Sequence, residues 1–296
     1  AHALVKDQQK IFRKLIRECA KHHIVIQPEI DGELSEIVDS IFNDEIMPLI
    51  SPVTFSGANP FPFIYNLRQC IFVKLEKGGD VHYSIIIIPE NLQRVFKIRL
   101  HRTYCVTSED IITRHLANIF PGFNVVDSYM LRLTRNADLT VEADEALPNR
   151  KKGYVVRAEL DKTAPKEVLK YLQENIGFDD DDIYIVDKPI DLTFLFSIAE
   201  MNPELMYPEH KPFVPYGLNA DENIFDRIKE RDYVFYRPYH DFKFNSSLIR
   251  RAALDENVLA IKMTIYRANK GSSIVESLAE AARRGKQVCV IIELKA

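Results

Sequence analysis

An α+β domain, preceded by a helical segment and followed by the start of an α/β domain, is the architecture the sequence predicts. Three observations carry it. Apolar residues in the first 47 positions recur at three- and four-residue spacing, as on one face of a helix. The middle of the chain alternates short apolar runs with Gly, Pro and Asp turn signals, the grammar of strands. After a proline-crowded stretch, strand and helix patterns alternate regularly, which implies parallel strands with crossover helices.

Each element follows in order. Ile11, Phe12, Leu15, Ile16 and Cys19 mark an opening helix, and Leu34, Ile37, Val38, Ile41 and Phe42 mark a second, from about Glu33 to Ile46. Pro52, Gly57, Pro60 and Pro62 then break the pattern. Strands are expected at Cys70–Leu75 and Val81–Ile88, joined by the hairpin turn Lys77-Gly78-Gly79-Asp80. Val95–Leu100 and Tyr104–Val106 read as short strands. Thr107 or Asp110 would cap a helix over Glu109–Ile119, stopped by Pro121-Gly122. Further strands are expected at Val125–Leu133, Leu139–Glu142, Tyr154–Leu160 and Ile183–Val186, with a helix at Lys166–Asn175 closed by Gly177. Pro203, Pro208, Pro212 and Pro215 mark a linker. The predicted partition is a helical segment at 1–47, an α+β domain at 48–205, a linker at 206–221 and an α/β segment at 222–296. In the last of these, Tyr233–Tyr236, Val258–Ile265 and Val288–Leu294 are the expected strands, with helices at Ser246–Leu254 and Ser273–Arg284. A short helical pair cannot build a core alone, and the last strand stops close to Ala296, so both ends are expected to be cut from something larger.

Parallel strands joined by right-handed crossovers bring their C-terminal ends to one edge, where ligands of open α/β sheets bind. That edge should carry Arg267 and Lys295, with Ser272 and Ser273 opening the helix between them. A helix start with free N–H groups beside two cations suits phosphate. The plain alternative is a pair of solvated charges and an ordinary cap. Lys262 falls inside a strand whose sheet should be covered on both faces, so it should be paired, with Glu293 as the candidate partner, or functional.

Composition excludes several classes. The net charge of −4 argues against a protein that coats nucleic acid. No apolar run reaches the ~18 residues a membrane span needs, and no signal peptide is visible. Cys19, Cys70, Cys105 and Cys289 form no C-x-x-C pair, so reduced, mostly buried thiols are expected. None of the eight histidines starts an H-x-K pattern, and no P-loop or dinucleotide fingerprint occurs. Basic clusters at Arg94–Arg102, Arg132–Arg135 and Arg150–Arg157 raise a polyanion groove as a minority reading.

Four separated stretches carry a family resemblance: Asn59-Pro60-Phe61-Pro62-Phe63, Leu133-Thr134-Arg135-Asn136-Ala137-Asp138, Val258 through Arg267, and Gly285-Lys286 through Glu293-Leu294-Lys295-Ala296. In that order they resemble polyphosphate kinase, the long four-domain bacterial type, across essentially the whole chain. Phe120-Pro121-Gly122 and Arg237-Pro238-Tyr239 also fit, but Tyr236 stands where the family usually has histidine, so no role is carried to it. The resemblance implies the end of an N-terminal helical domain, a head domain and the start of the first of two phospholipase-D-like domains. It implies reversible transfer of the ATP γ-phosphate to polyphosphate through a phosphohistidine beyond Ala296, with Mg2+. It also implies a homodimer or homotetramer acting on ATP, ADP and polyphosphate rather than nucleic acid, in the cytoplasm and either free or membrane-associated. Arg267 matches the family's arginine at the magnesium–nucleotide site, where a guanidinium would hold phosphate oxygens beside the metal. Two other functions stand beside this one. A different phospholipase-D-like phosphodiester enzyme would need the H-x-K-x-x-x-x-D pattern, which is absent here. A non-enzymatic oligomerisation or polyanion-binding module would rest on the middle domain.

Overall fold

The computed structural model describes residues 1–55, 61–136, 153–214, 218, 223–266 and 271–292. The chain forms two compact units, Ala1–Met206 and Tyr207–Ala296.

In the first unit, α1 (His2–Lys21), β1 (Ile24–Ile26) and α2 (Gly32–Ile41) open the chain, and α2 runs on into a π turn at Phe42–Ile46. A six-stranded sheet follows in the order β2-β4-β3-β7-β8-β9, built from Pro52–Phe55 (β2), Gln69–Lys77 (β3), Asp80–Ile87 (β4), Asn124–Arg135 (β7), Val155–Asp161 (β8) and Ile183–Val186 (β9). Val95–Arg99 (β5) and Thr103–Thr107 (β6) form a smaller sheet with β1, in the order β1-β6-β5. The expected hairpin is present: Lys77 pairs with Asp80 across Gly78 and Gly79, whose φ values of 62° and 91° suit a two-residue turn that L side chains adopt poorly.

The continuous apolar run of β3 has a direct cause, because both faces of the strand are covered. Ile71, Val73 and Leu75 join a core with Leu34, Val38, Phe42, Ile111 and Ile112. Cys70 and Phe72 turn to the other face, toward Tyr129, Leu131, Leu160, Val168 and Leu172. The last two belong to α5 (Lys166–Ile176), which crosses from β8 to the parallel strand β9 and ends at left-handed Gly177. Val5, Leu34 and Ile46 share the first core, so the opening helices pack into the same unit as the sheet. Burial pushes the Cys70 thiol up to about 12, which leaves it an inert, protonated core group.

The helix expected at Glu109–Ile119 is two helices, α3 (Ser108–Arg114) and α4 (Leu116–Ile119), parted at His115. Thr107 is the cap, its hydroxyl accepting from the Asp110 N–H at 3.3 Å. Strands β1 and β2 were not foreseen; they are three and four residues long, too short for alternation to register. The strand expected at Leu139–Glu142 lies outside the described residues. A short helix, α6 (Leu195–Ala199), closes the unit.

The second unit holds α7 (Ile224–Glu230), α8 (Lys243–Leu254), β10 (Ala260–Ile265), α9 (Ser273–Arg283) and β11 (Gln287–Ile292). The two strands are parallel, with Ile261 opposite Val288 and Ile265 opposite Ile292. Residues Tyr233–Tyr236, expected as a strand, form none; proline at 238 and the turn at Arg237–Tyr239 end any extended run. Ala252, Ala253, Leu278 and Ala281 from α8 and α9 pack with Ile261 and Ile265. Among the described residues, no helix is long and apolar enough to cross a membrane.

Candidate functional site

The second unit has two distinguishable edges. Leu254 at the end of α8, Arg284 just past α9, Val258 before β10 and Lys286 before β11 line one recess. Lys286 closes that edge, its ammonium donating to the carbonyls of Asp255 and Val258. Both helices therefore end beside the N-termini of the strands. Both begin at the opposite edge, where β10 and β11 finish.

At that second edge Ser272 is the N-cap of α9 and makes no side-chain cap hydrogen bond. The first N–H groups of α9, from Ser273 onward, have no intrahelical acceptor. The Ser273 carbonyl instead accepts from the Ser277 hydroxyl at 2.7 Å. Gly271, with φ of 77°, turns the chain into the cap. Arg267, Glu293 and Lys295 lie outside the described residues.

Lys262 is placed differently from expectation. Among the described residues the sheet is covered on one face: α8 and α9 cover Ile261, Met263, Ile265, Val288 and Val290, and none is packed on the other face. Lys262 is exposed on that open face, opposite Cys289, which is exposed as well. Two strands with both helices on one side leave every second residue in solvent. The argument that a buried lysine needs a counter-charge thus loses its premise. Lys262→Met is expected to change the stability of this chain by no more than about 0.5 kcal/mol, the range of ordinary surface substitutions. A urea titration showing a loss of several kcal/mol would restore the ion-pair reading.

Sequence reasoning missed the segment that leads into α8. Arg237 donates to the His240 carbonyl and, at 2.7 Å, to Asn245 Oδ1. Its guanidinium lies 4.9 Å from the Phe242 ring centroid. The Tyr236 N–H donates to His240 Nδ1 at 2.9 Å, so in the neutral ring the proton sits on Nε2. Tyr236 and Tyr239 stack at 5.2 Å and both are exposed. This turn delivers the chain to the start of α8, on the edge where α9 also begins. The available signal was Pro238, which argues against a strand.

Several cations of the basic clusters in the first unit are partnered. Arg94 pairs with Glu109 at 2.9 Å and Asp191 at 3.0 Å. Arg132 and Arg157 both pair with Glu159, at 3.1 and 2.7 Å. Arg135 donates to the carbonyls of Ile64 and Gly153. Residues Arg150, Lys151 and Lys152 lie outside the described residues. These cations are bonded to carboxylates and carbonyls, which weakens the polyanion groove at Arg94, Arg132, Arg135 and Arg157. Among the described residues no group of three or more His, Cys, Asp or Glu converges to hold a metal ion.

Comparison with known proteins matches these units. The polyphosphate kinase middle domain matches residues 33–198, and polyphosphate kinase C-terminal domain 1 matches residues 223–296. Among curated relatives, the polyphosphate kinase of Staphylococcus epidermidis is 36% identical over 99% of this chain and 42% of its own length. That of Pseudomonas aeruginosa is 36% identical over 100% of this chain and 46% of its own length. The crystal structure of polyphosphate kinase from Porphyromonas gingivalis superposes with a TM-score of 0.79 at 26% identity, covering 100% of this chain and 46% of that one. The chain spans less than half the length of these relatives.

Proposed function

Because the chain belongs to the polyphosphate kinase family, we propose that it works within an enzyme that reversibly transfers the γ-phosphate of ATP to polyphosphate. The observation that carries this reading is the match of two successive domains, at residues 33–198 and 223–296, in the family's order. The activity is assigned to a polypeptide longer than this chain, since the relatives are more than twice its length. The phosphoryl-accepting histidine is assigned to that longer polypeptide and to none of the eight histidines here.

The edge where β10 and β11 finish is the proposed phosphate side. Arg267 would hold phosphate oxygens through charge-assisted hydrogen bonds, with Lys295 as a second cation. The N–H groups at the start of α9, at Ser272 and Ser273, would donate to the same anion. Lys262 remains a proposed auxiliary phosphate contact from the open face of the sheet. These groups do not fit a metal cage: ammonium and guanidinium cannot ligate a cation, and serine hydroxyls alone are weak ligands. Magnesium is therefore proposed to come held by the nucleotide phosphates, and no step is routed through it. A homodimer or homotetramer and a cytoplasmic location are part of the same proposal; sedimentation of the full-length protein checks the first.

Arg267→Ala in the full-length enzyme is expected to lower turnover about ten- to a hundredfold, the worth of one charge-assisted contact of roughly 1.5–3 kcal/mol. The unfolding midpoint should stay where it is. Unchanged steady-state kinetics would refute the assignment of this edge.

A further inference from the structure

Helix α1 has three distinct faces once its residues are set at helical spacing. Val5, Phe12, Ile16 and Cys19 turn into the cores of the first unit. Leu4, Ile11 and Leu15 form an exposed apolar row beside that face. Lys6, Lys10, Arg13, Lys14, Arg17 and Lys21 share an arc of roughly 100° that runs about 22 Å along the axis. All six are exposed. The two carboxylates of the helix, Asp7 and Glu18, fall between that arc and the apolar row.

Solubility alone does not call for this concentration of charge. The whole chain carries a net charge of −4, yet this helix has six Lys or Arg against two carboxylates. Lys6, Lys10 and Lys14 stand four residues apart in turn, as do Arg13, Arg17 and Lys21. Like charges at that spacing repel and weaken a helix. A solvated helix face relieves the repulsion by interleaving Glu or Asp, and within this arc neither occurs. Partners are few. Arg13 pairs with Asp187, and Lys21 pairs with Glu18 at 2.8 Å. Lys21 first and Lys14 after it hold the Glu18 carboxyl below the usual range, so one carboxylate serves both. Lys6, Lys10 and Lys14 have no ion-pair partner among the described residues. A bound anion would remove the repulsion along this row.

We propose that the basic arc of α1 is a docking track for an inorganic polyphosphate chain, in a different unit from the candidate phosphate edge. The identity of the polyanion rests on the polyphosphate kinase reading. Three features choose it. A row of point charges along a helix matches a linear anion charged at every repeat, whereas a single phosphate could meet only neighbouring cations. Proteins that hold single-stranded nucleic acid set aromatic rings among the cations for the bases to stack on, and the arc carries none. An anionic membrane would take the apolar row together with the cations. Asp7 and Glu18 lie between the two and would meet headgroups of their own sign.

Titrating the 296-residue chain into fluorescently labelled long-chain polyphosphate, read as anisotropy, tests the track. Wild type is expected to bind, with affinity falling steeply as salt is raised. The triple variant Lys6→Gln, Lys10→Gln, Lys14→Gln is expected to bind about tenfold more weakly or worse. The charge-keeping set Lys6→Arg, Lys10→Arg, Lys14→Arg should bind as wild type does. These lysines are exposed and make no ion pair, so equal denaturant midpoints are expected for all three proteins. Undiminished binding by the Gln variant overturns the track. So does a wild type that fails to bind, or that binds poly(U) or phosphatidylglycerol vesicles as well as polyphosphate. Arg267→Ala in the full-length enzyme keeps the two readings apart. A failed track leaves its loss of turnover in place, and unchanged turnover leaves the α1 titration to be judged by itself.

Discussion

Replacing Arg94 with Met is expected to destabilise the first unit by about 3–5 kcal/mol, because it strands a buried carboxylate. Glu109 is 3% exposed, and Arg94 is its guanidinium partner at 2.9 Å. The same guanidinium donates to the carbonyls of Ile190 and Asp191, each at 2.7 Å, and pairs with Asp191 at 3.0 Å. One side chain thus ties α3 to the turn after β9. Burial pushes the Glu109 carboxyl up, and the charge of Arg94 pulls it the other way. Without Arg94 the strongest downward pull is gone. The upward push of burial then acts against the Ser108 hydroxyl and backbone hydrogen bonds alone, so the folded state is expected to hold the Glu109 proton more tightly. A folded state that holds a proton the unfolded state has released loses stability as pH rises above the ordinary glutamate range. The loss should therefore be larger at about pH 8 than at about pH 5. Urea titrations at both values check it. A loss below about 1 kcal/mol at either pH would mean that the pair contributes little beyond its own desolvation cost.

Phe72→Ala should cost a similar amount, about 3–5 kcal/mol, through a cavity at the centre of the sheet. Phe72 is fully buried on β3. Its ring centroid is 5.2 Å from that of Tyr83, 6.0 Å from Tyr171 and 6.2 Å from Phe55. Those rings come from β4, α5 and β2, so the residue joins the sheet to its covering helix. Phe72→Leu keeps most of the volume and should lose less. Equal losses for both substitutions would point to the ring geometry rather than the cavity. Denaturant midpoints with unchanged slopes are the readout.

Local chemistry explains what was legible. Gly78-Gly79 between two apolar runs leaves few choices but a tight hairpin. Thr107 before Glu109-Asp110 can cap a helix start, and Gly177 can close one. In each case the physical constraint spans four or five residues, so the sequence carries it whole. The edge where strand ends and helix starts meet was legible in the same way, because alternating strand and helix patterns dictate it. The four-motif resemblance then gave the family, which the matches at 33–198 and 223–296 support.

The sequence by itself determined the order of most helices and strands, the α+β and α/β character of the two parts, and the family. Tertiary structure alone decided which charges and faces are satisfied. Arg94 and Arg132 read as a basic surface until partners 15 and 27 residues away along the chain are brought within ion-pair distance. Lys262 reads as buried until the sheet proves to have helices on one face only. His115 reads as one more position in a helix until Asp39, 76 residues earlier, meets its ring. Periodicity reports the burial a segment prefers, because it reflects the side chains of that segment. Whether a charge is paired or a face is covered depends on what the rest of the chain places there, and no local pattern encodes that.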